Sequence, residues 1–201
     1  MTPAQLEAFQ RTHRNHLGLP LRVDGVQGPQ TEFALDFETL CAGRRQIIVV
    51  AWNYLGLEEE PPGSNDEPSG TIRAWLERCG ARRGDPWCAA FVSHCLSAAL
   101  PEPVRIAGAQ RLGKSLPATS QPFTADVFWY PTPSPPGSGH TGLVLGVSAT
   151  EVMTLEGNQR HAVRCLRRPR AELRFARVPL GTEGTCPGVV PSVPAADGST
   201  R

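Results

Sequence analysis

The segment GDPWCAAFVSHCLSAAL (84–100) decides the fold, because it carries the clearest helical pattern of the chain. Asp85 is a good N-cap residue, and Pro86 suits the first helical position. Apolar residues then recur at the spacing of one helix face, in the order Cys88, Phe91, Val92, Cys95, Leu96 and Ala99. The pattern predicts a helix that begins at Pro86 and holds Cys88 as its third residue.

Cys88 would then lie where backbone N–H groups have no helical partner and the helix dipole is positive. Both effects favour a thiolate over a thiol, and the free N–H groups could hold an oxyanion. A cysteine on an apolar helix face is also an ordinary core residue. The helix alone leaves both interpretations open, so the residues that face Cys88 must decide between them.

Helical patterns precede this segment and strand patterns follow it. Apolar periodicity and cap residues predict earlier helices over residues 3–16, 29–40, 46–55 and 71–79. After residue 125, short runs rich in Val, Leu and aromatic residues predict successive antiparallel strands. These runs are DVFWY (126–130), TGLVLGV (141–147), EVMTLE (151–156), AVRCL (162–166) and LRFARV (173–178). Helices followed by a strand meander indicate an α+β fold.

Two of these strands offer a base for the thiol and a group that orients the base. His140 lies where one strand begins, and Glu156 and Asn158 lie where the next strand ends. If the two strands form a hairpin, the end of the second lies beside the start of the first. Glu156 or Asn158 could then accept a hydrogen bond from the second imidazole nitrogen of His140 and fix its tautomer.

Other uses of the histidines and cysteines are less well supported. His94 is too far along the helix of Cys88 for direct contact, and His161 follows the Glu156 turn. Cys79 and Cys95 lie near His94 in the sequence, but no CxxC or HxxxH spacing indicates a zinc site. No metal ligands are therefore predicted from these residues.

Composition argues against several classes of protein. The formal charge is +1 without a long run of one sign, which does not favour nucleic-acid binding. No stretch of about 18 apolar residues indicates a membrane span. The N-terminus, MTPAQLEAFQ, lacks the basic and apolar regions of a Sec-type signal peptide. The six cysteines are irregularly spaced, so mostly reduced thiols are expected.

Three motifs, GDPWCAAFVSHCL (84–96), GHTGLVLGV (139–147) and TLEGN (154–158), resemble the cysteine, histidine-dependent amidohydrolase/peptidase family, the CHAP domain. ADVFWY (125–130) resembles a strand that begins Gly-Asp in that family, with Ala125 in the usual Gly position. LRFARV (173–178) resembles its closing strand. The likeness covers about residues 44 to 178, and it implies a papain-like cysteine peptidase fold with helices packed on five or six antiparallel strands.

The resemblance implies roles for four residues. Cys88 would be the nucleophile and His140 the base, with Glu156 and Asn158 orienting the imidazole. The substrate would be an amide of cell-wall peptidoglycan, cut by a stem-peptide endopeptidase or an N-acetylmuramoyl-L-alanine amidase. We expect a monomer that stays cytoplasmic until a holin releases it, as for a phage endolysin, or that leaves by a non-Sec route.

The front segment RVDGVQGPQTEFALDFETL (22–40) resembles a peptidoglycan-binding domain of the short three-helix type. Asp24, Gly25, Gly28 and Thr31 carry this likeness, although loop architecture would also explain them. Asp24, Thr31 and Trp87 are the candidate substrate-binding residues. The expected organisation is a helical module over 1–43, a catalytic domain over 44–180 and a disordered tail over 181–201.

Two further interpretations remain open. Some members of the CHAP family bind calcium, for which Glu60, Asp66 and Glu67 are the candidates here, although a solvated acidic loop is favoured because the spacing is not that of an EF-hand. The chain could also be a non-catalytic wall-binding or structural phage protein, or a cysteine protease that cuts a protein amide.

Overall fold

A computed structural model describes residues 1–133, 135 and 137–180. The described helices are α1 (Pro3–Thr12), α2 (Pro29–Thr39), α3 (Ala42–Trp52), α4 (Thr71–Arg78), α5 (Cys88–Leu96) and α6 (Ala109–Ser115). The described strands are β1 (Ala118–Thr119), β2 (Val127–Pro131), β3 (Gly139–Val147), β4 (Glu151–Gln159), β5 (Ala162–Pro169) and β6 (Arg174–Ala176). The predicted α+β class is confirmed.

The strands form one open antiparallel sheet in the order β1-β6-β2-β3-β4-β5. The meander from β2 to β5 agrees with the sequence pattern, but the prediction that the last strand continues it is wrong. After a short 3₁₀ helix (Arg170–Glu172), β6 crosses back to pair with β2. This pairing sets Phe175 opposite Phe128, and both rings are buried in one apolar cluster with Val144 and Val152.

Two helix boundaries differ from the prediction for local reasons. α1 ends at Thr12 instead of residue 16, because the Asn15 side chain accepts the backbone N–H groups of Leu17 and Leu19 and closes a turn. α3 begins at Ala42 instead of residue 46, and it includes a buried arginine. Arg44 donates to the Thr124 carbonyl at 2.6 Å and to the Asp126 carboxylate at 2.9 Å, which fastens α3 to the start of the sheet.

One apolar core runs across the predicted boundary at residue 43. Phe33 and Phe37 of α2 belong to the same buried cluster as Ile47 and Ile48 of α3, and this cluster continues through α5 to the sheet. The Phe37 ring lies 4.9 Å from the ring of Trp52. The front helices and the sheet therefore share their packing.

The predicted tail, 181–201, lies outside the described residues. Within the part that is described, none of the helices has the length and apolar character needed to cross a membrane.

Candidate active site

The first residue of α5 is Cys88 itself, so the prediction of a start at Pro86 is wrong. Trp87 is the N-cap, and the Asp85 side chain instead accepts the backbone N–H of Arg82 at 2.8 Å. The first bond of the helix joins the Phe91 N–H to the Trp87 carbonyl. Cys88 thus lies closer to the positive end of the helix than the sequence predicts, among N–H groups that precede the first helical bond.

His140, near the start of β3, is hydrogen-bonded to Glu156, and Cys88 lies close enough to contribute to its pKa. Its Nε2 lies 2.7 Å from Glu156 Oε2, which leaves Nδ1 for the thiol. Burial lowers the pKa of His140, but the hydrogen bonds and charges of Cys88 and Glu156 raise it overall to about 9. An imidazole with this pKa holds a proton on both nitrogens at neutral pH.

Glu156 is fully buried at the end of β4, where the hairpin with β3 brings it beside His140. Burial raises the pKa of Glu156, but hydrogen bonds from Arg168 and His140 and the charges of both partners lower it overall. Thr154, on the same face of β4, also donates to the Glu156 carboxylate. The carboxylate is therefore held ionised and fixed against the imidazole.

Arg168 extends the series of hydrogen-bonded side chains beyond Glu156, and it was not among the site residues predicted from the sequence. Its Nε donates to one carboxylate oxygen of Glu156 at 2.6 Å, and one terminal nitrogen donates to the other at 2.6 Å, so the pair is bidentate. Arg168 belongs to the run RRPR (167–170), which looks like a solvated charge cluster. Strand alternation was the available signal. β5 pairs with β4 and sets Arg168 opposite Val152, which lies on the same face of β4 as Thr154 and Glu156.

Two aromatic rings of β2 pack beside the charged side chains of His140 and Arg168. The Tyr130 ring lies 5.7 Å from the His140 ring, and the Arg168 guanidinium lies 5.4 Å from the centre of the Tyr130 ring. The Phe128 ring is 5.9 Å from the same guanidinium. These rings restrict Arg168 and exclude water from one side of its pair with Glu156.

The structure places Asn158 away from the imidazole, so its predicted role in orienting His140 is not supported by the geometry. In the amide orientation that suits its neighbours, Asn158 donates to Glu59 Oε1 at 3.0 Å and accepts the Trp87 backbone N–H at 3.1 Å. Asn158 has a φ of 57°. It therefore ties the end of β4 to the residue that caps α5.

Glu59 is a second buried carboxylate that the sequence analysis did not single out. It accepts the Trp87 indole N–H at 2.9 Å and the backbone N–H groups of Gly63 and Asn65 at 2.9 and 3.1 Å. His161 Nδ1 lies 3.2 Å from it. Glu59 thereby joins the loop before α4 to the start of α5.

The three candidate substrate-binding residues have structural partners instead. Trp87 is completely buried, so its indole is not available to a ligand. Thr31 is also buried, and both Thr31 and Asp24 receive hydrogen bonds from the buried amide of Gln10 at 3.1 and 3.0 Å. Loop architecture, the alternative interpretation, accounts for Asp24 and Thr31.

The acidic loop is solvated only in part, because Asp66 and Glu67, two of its three candidate calcium ligands, are buried. Asp66 pairs with Arg73 at 3.1 Å and with Arg83, and Glu67 accepts the Ile72 N–H at the start of α4. Glu60 is exposed. Among the described residues, no group of three or more His, Cys, Asp or Glu side chains is arranged to hold a metal ion.

The other cysteines with free thiols differ from Cys88 in their surroundings. Burial raises the pKa of the Cys95 thiol, and it raises that of Cys165 to about 12. Burial also raises the pKa of Cys79. The Cys165 thiol donates to the backbone carbonyl of His16 at 3.8 Å, and none of the three thiols is hydrogen-bonded to an imidazole ring in the part of the chain that the structure describes. His94 contacts the Tyr54 hydroxyl at 3.2 Å instead.

Comparison with protein-family models, with curated proteins and with solved structures finds no match to this chain. The geometry of the site therefore has to be interpreted from its own residues.

Proposed function

We propose that this protein is a peptidoglycan hydrolase that cuts a wall amide with Cys88 as nucleophile. The observation that carries the proposal is the hydrogen-bonded chain His140–Glu156–Arg168 beside Cys88, the first residue of α5, whose thiol helps to raise the pKa of His140. Thiol, imidazole and carboxylate in this order are what an activated cysteine nucleophile requires. The choice of peptidoglycan rests on the likeness of three motifs to the CHAP family and of the front segment to a wall-binding domain.

We also propose a papain-like arrangement for the catalytic part. A nucleophile at the start of α5 faces a histidine carried by the antiparallel sheet, and α5 packs against β3 and β4. Helix and sheet thus contribute one reacting group each, and the substrate would reach them where the start of α5 meets β3.

Cys88, His140, the backbone N–H groups of α5 and one water molecule are sufficient for the reaction. The Cys88 thiolate attacks the amide carbonyl carbon, a C–S bond forms, and the backbone N–H groups at the start of α5 stabilise the oxyanion. His140 gives its Nδ1 proton to the leaving nitrogen as the C–N bond breaks. Water then attacks the thioester carbonyl carbon and gives a proton to His140, and the C–S bond breaks to release the Cys88 thiolate. The products are a carboxylic acid, an amine and the regenerated thiolate–imidazolium pair.

Digestion of purified cell walls tests this proposal. The wild-type protein should lower the turbidity of walls of the matching chemotype, and mass analysis should find new amine and carboxylate ends in the released fragments. Cys88→Ala should abolish both effects, because the C–S bond cannot form. Cys79→Ala is the matched control, and it should retain the activity, since Cys79 lies outside the site.

Three outcomes distinguish the alternatives. Equal clearing by the wild type and Cys88→Ala would reject thiol catalysis. Binding to walls of several types without any new ends would favour a non-catalytic wall-binding protein. Cleavage of a protein amide with no action on walls would favour a cysteine protease. Mass analysis of wall fragments would also distinguish an amidase from a stem-peptide endopeptidase.

A further inference from the structure

A concave surface, which we call the β6 cleft, lies beside α6 and the β1–β6 edge of the sheet, and Cys88, His140, Glu156 and Arg168 do not line it. It occupies about 1080 Å³ between α6, β1, β6 and the 3₁₀ helix. Phe128 and Tyr130 face His140 and Arg168, whereas Trp129 between them lines the β6 cleft. Alternate residues of one strand point to opposite faces, so Trp129 is turned away from the proposed catalytic groups, while Leu173 and Phe175 at the edge of the sheet complete the lining.

The β6 cleft concentrates positive charge in a protein whose formal net charge is only +1. Lys114, Arg170 and Arg174 line it, and none of the described lining residues is Asp or Glu. Arg170 donates to the Ser148 and Ser120 carbonyls at 3.2 and 2.9 Å. Carbonyl oxygens orient this guanidinium without cancelling its charge, so the cleft keeps a positive potential.

Trp129 holds the other two cations in place. The Arg174 guanidinium lies 4.9 Å and the Lys114 ammonium 5.6 Å from the centre of the Trp129 ring. α6 can approach the ring this closely because residue 113 is glycine, since a Cβ there would lie 2.1 Å from the indole. Two positive charges beside one ring would both attract an anion that binds next to it.

We infer that the β6 cleft binds an anionic ligand through its carboxylate or phosphate groups. Arginine matches the planar geometry of both groups, and lysine adds a point charge. The volume of about 1080 Å³ lies slightly above the usual range for ligand sites, so an oligomer with several charged groups would fit. Such groups occur in acidic peptides and in phosphate polymers. The inference does not depend on the proposed catalysis.

Calorimetric titration of the full chain at low ionic strength tests this inference with two soluble probes, tripolyphosphate and tri-glutamate. At least one probe should bind, and added salt should weaken the binding because it screens the charges. Binding of tripolyphosphate alone would identify a phosphate site, and binding of tri-glutamate alone a carboxylate site. Binding of both would support the shared oxyanion chemistry.

Substitutions locate the binding. Lys114→Gln and Arg174→Gln should each weaken it by roughly tenfold, the loss expected for one charge-assisted hydrogen bond. Arg22→Gln removes the same charge from a side chain that is 88% exposed on the front segment, and it should leave the affinity unchanged. Melting without probe checks the folding of each variant, and Lys114→Gln at an exposed position decides the matter if Arg174→Gln unfolds. The inference is overturned if neither probe binds, or if both cleft variants bind like the wild type.

Discussion

The imidazole of His140 lies between a thiol and a carboxylate, and its protonation depends on both. Burial opposes the charge, whereas Cys88 and Glu156 favour it strongly enough to raise the pKa to about 9. The residue would therefore be ready to protonate a leaving amine over most of the neutral pH range. Its state can be followed without any substrate.

We predict that the His140 ring protons titrate near pH 9 in nuclear magnetic resonance spectra, with His140→Gln identifying the signal. In Cys88→Ser the pKa should fall, because the hydrogen bond and charge of the thiol are among its main causes. A wild-type titration near 6.5, unchanged by Cys88→Ser, would contradict the contact between the two side chains.

The raised pKa of His140 also predicts how the free energy of unfolding depends on pH. Because the pKa of His140 is raised from 6.5 to about 9 in the folded protein, its protonation stabilises the fold fully below pH 6.5. This contribution is lost as the pH rises through about 9. Urea unfolding across that interval should show a decline in the free energy of unfolding that His140→Gln diminishes. An equal decline in both proteins would assign the effect to other groups.

Arg168 and Arg167 are adjacent arginines with different surroundings, which makes them a matched pair. Arg168→Gln leaves the buried Glu156 without its bidentate partner, and it should cost roughly 3 kcal/mol of stability. It should also raise the pKa of Glu156, and so move the acid limb of wall digestion to higher pH. Arg167→Gln breaks a more exposed pair with Glu151 at 3.3 Å and should cost less than about 1 kcal/mol. Urea unfolding and pH profiles check both, and equal effects would contradict a special role for Arg168.

At the scale of elements, the start of α5 is fixed by residues far away in the sequence. Glu59 bonds the Trp87 indole from the loop before α4, and Asn158 reaches the Trp87 N–H from the end of β4. The helix has no side-chain cap of its own. Its first turn, and with it the position of Cys88, therefore depends on these two contacts.

Glu59→Gln should destabilise the protein by about 1–3 kcal/mol, because an amide cannot accept all the N–H groups that bond the buried carboxylate. It should also slow wall digestion by displacing Cys88. Glu58→Gln is the control, since Glu58 is 65% exposed and pairs with Arg164 at the surface. Its cost should stay within about 0.5 kcal/mol. Thermal melting and digestion rates measure both, and a difference too small to resolve would contradict the role of Glu59.

The difference between local patterns and tertiary contacts explains which residues of the site the sequence predicts. Cys88, His140 and Glu156 depend on local patterns, namely a helix start and a hairpin of two adjacent strands. Glu59 lies in a loop without periodicity, and the alternation of β5 points Arg168 toward Glu156 only once the pairing of β5 with β4 is known. The sequence also favoured Asp85 as N-cap, but a tertiary contact to Trp87 fixed a later start. The return of β6 to β2 was likewise set by packing of Phe175 on Phe128.

At the scale of the whole molecule, α3 joins the front helices to the sheet. Its Trp52 contacts the Phe37 ring and donates to the His16 carbonyl at 3.1 Å, while Arg44 binds the start of the sheet. A module that shares its core in this way does not need to fold alone. Wall binding and catalysis would then reside in one rigid unit.

Phe37→Ala should therefore destabilise the entire protein, by roughly 3–5 kcal/mol for a buried ring. Far-ultraviolet circular dichroism and tryptophan fluorescence should report one coincident unfolding transition for both the wild type and the variant. Two separate transitions, with only the first shifted by Phe37→Ala, would indicate independent domains.

Alkylation of the intact protein with iodoacetamide at about pH 6 tests the activation of Cys88 most directly, since only a thiolate reacts there at an appreciable rate. Peptide mapping should find Cys88 labelled well before Cys79 and Cys165, whose thiols are held neutral by burial. His140→Gln should remove that advantage. Labelling of Cys88 no faster than the other two, or a rate that His140→Gln leaves unchanged, would contradict an activated thiol at the start of α5.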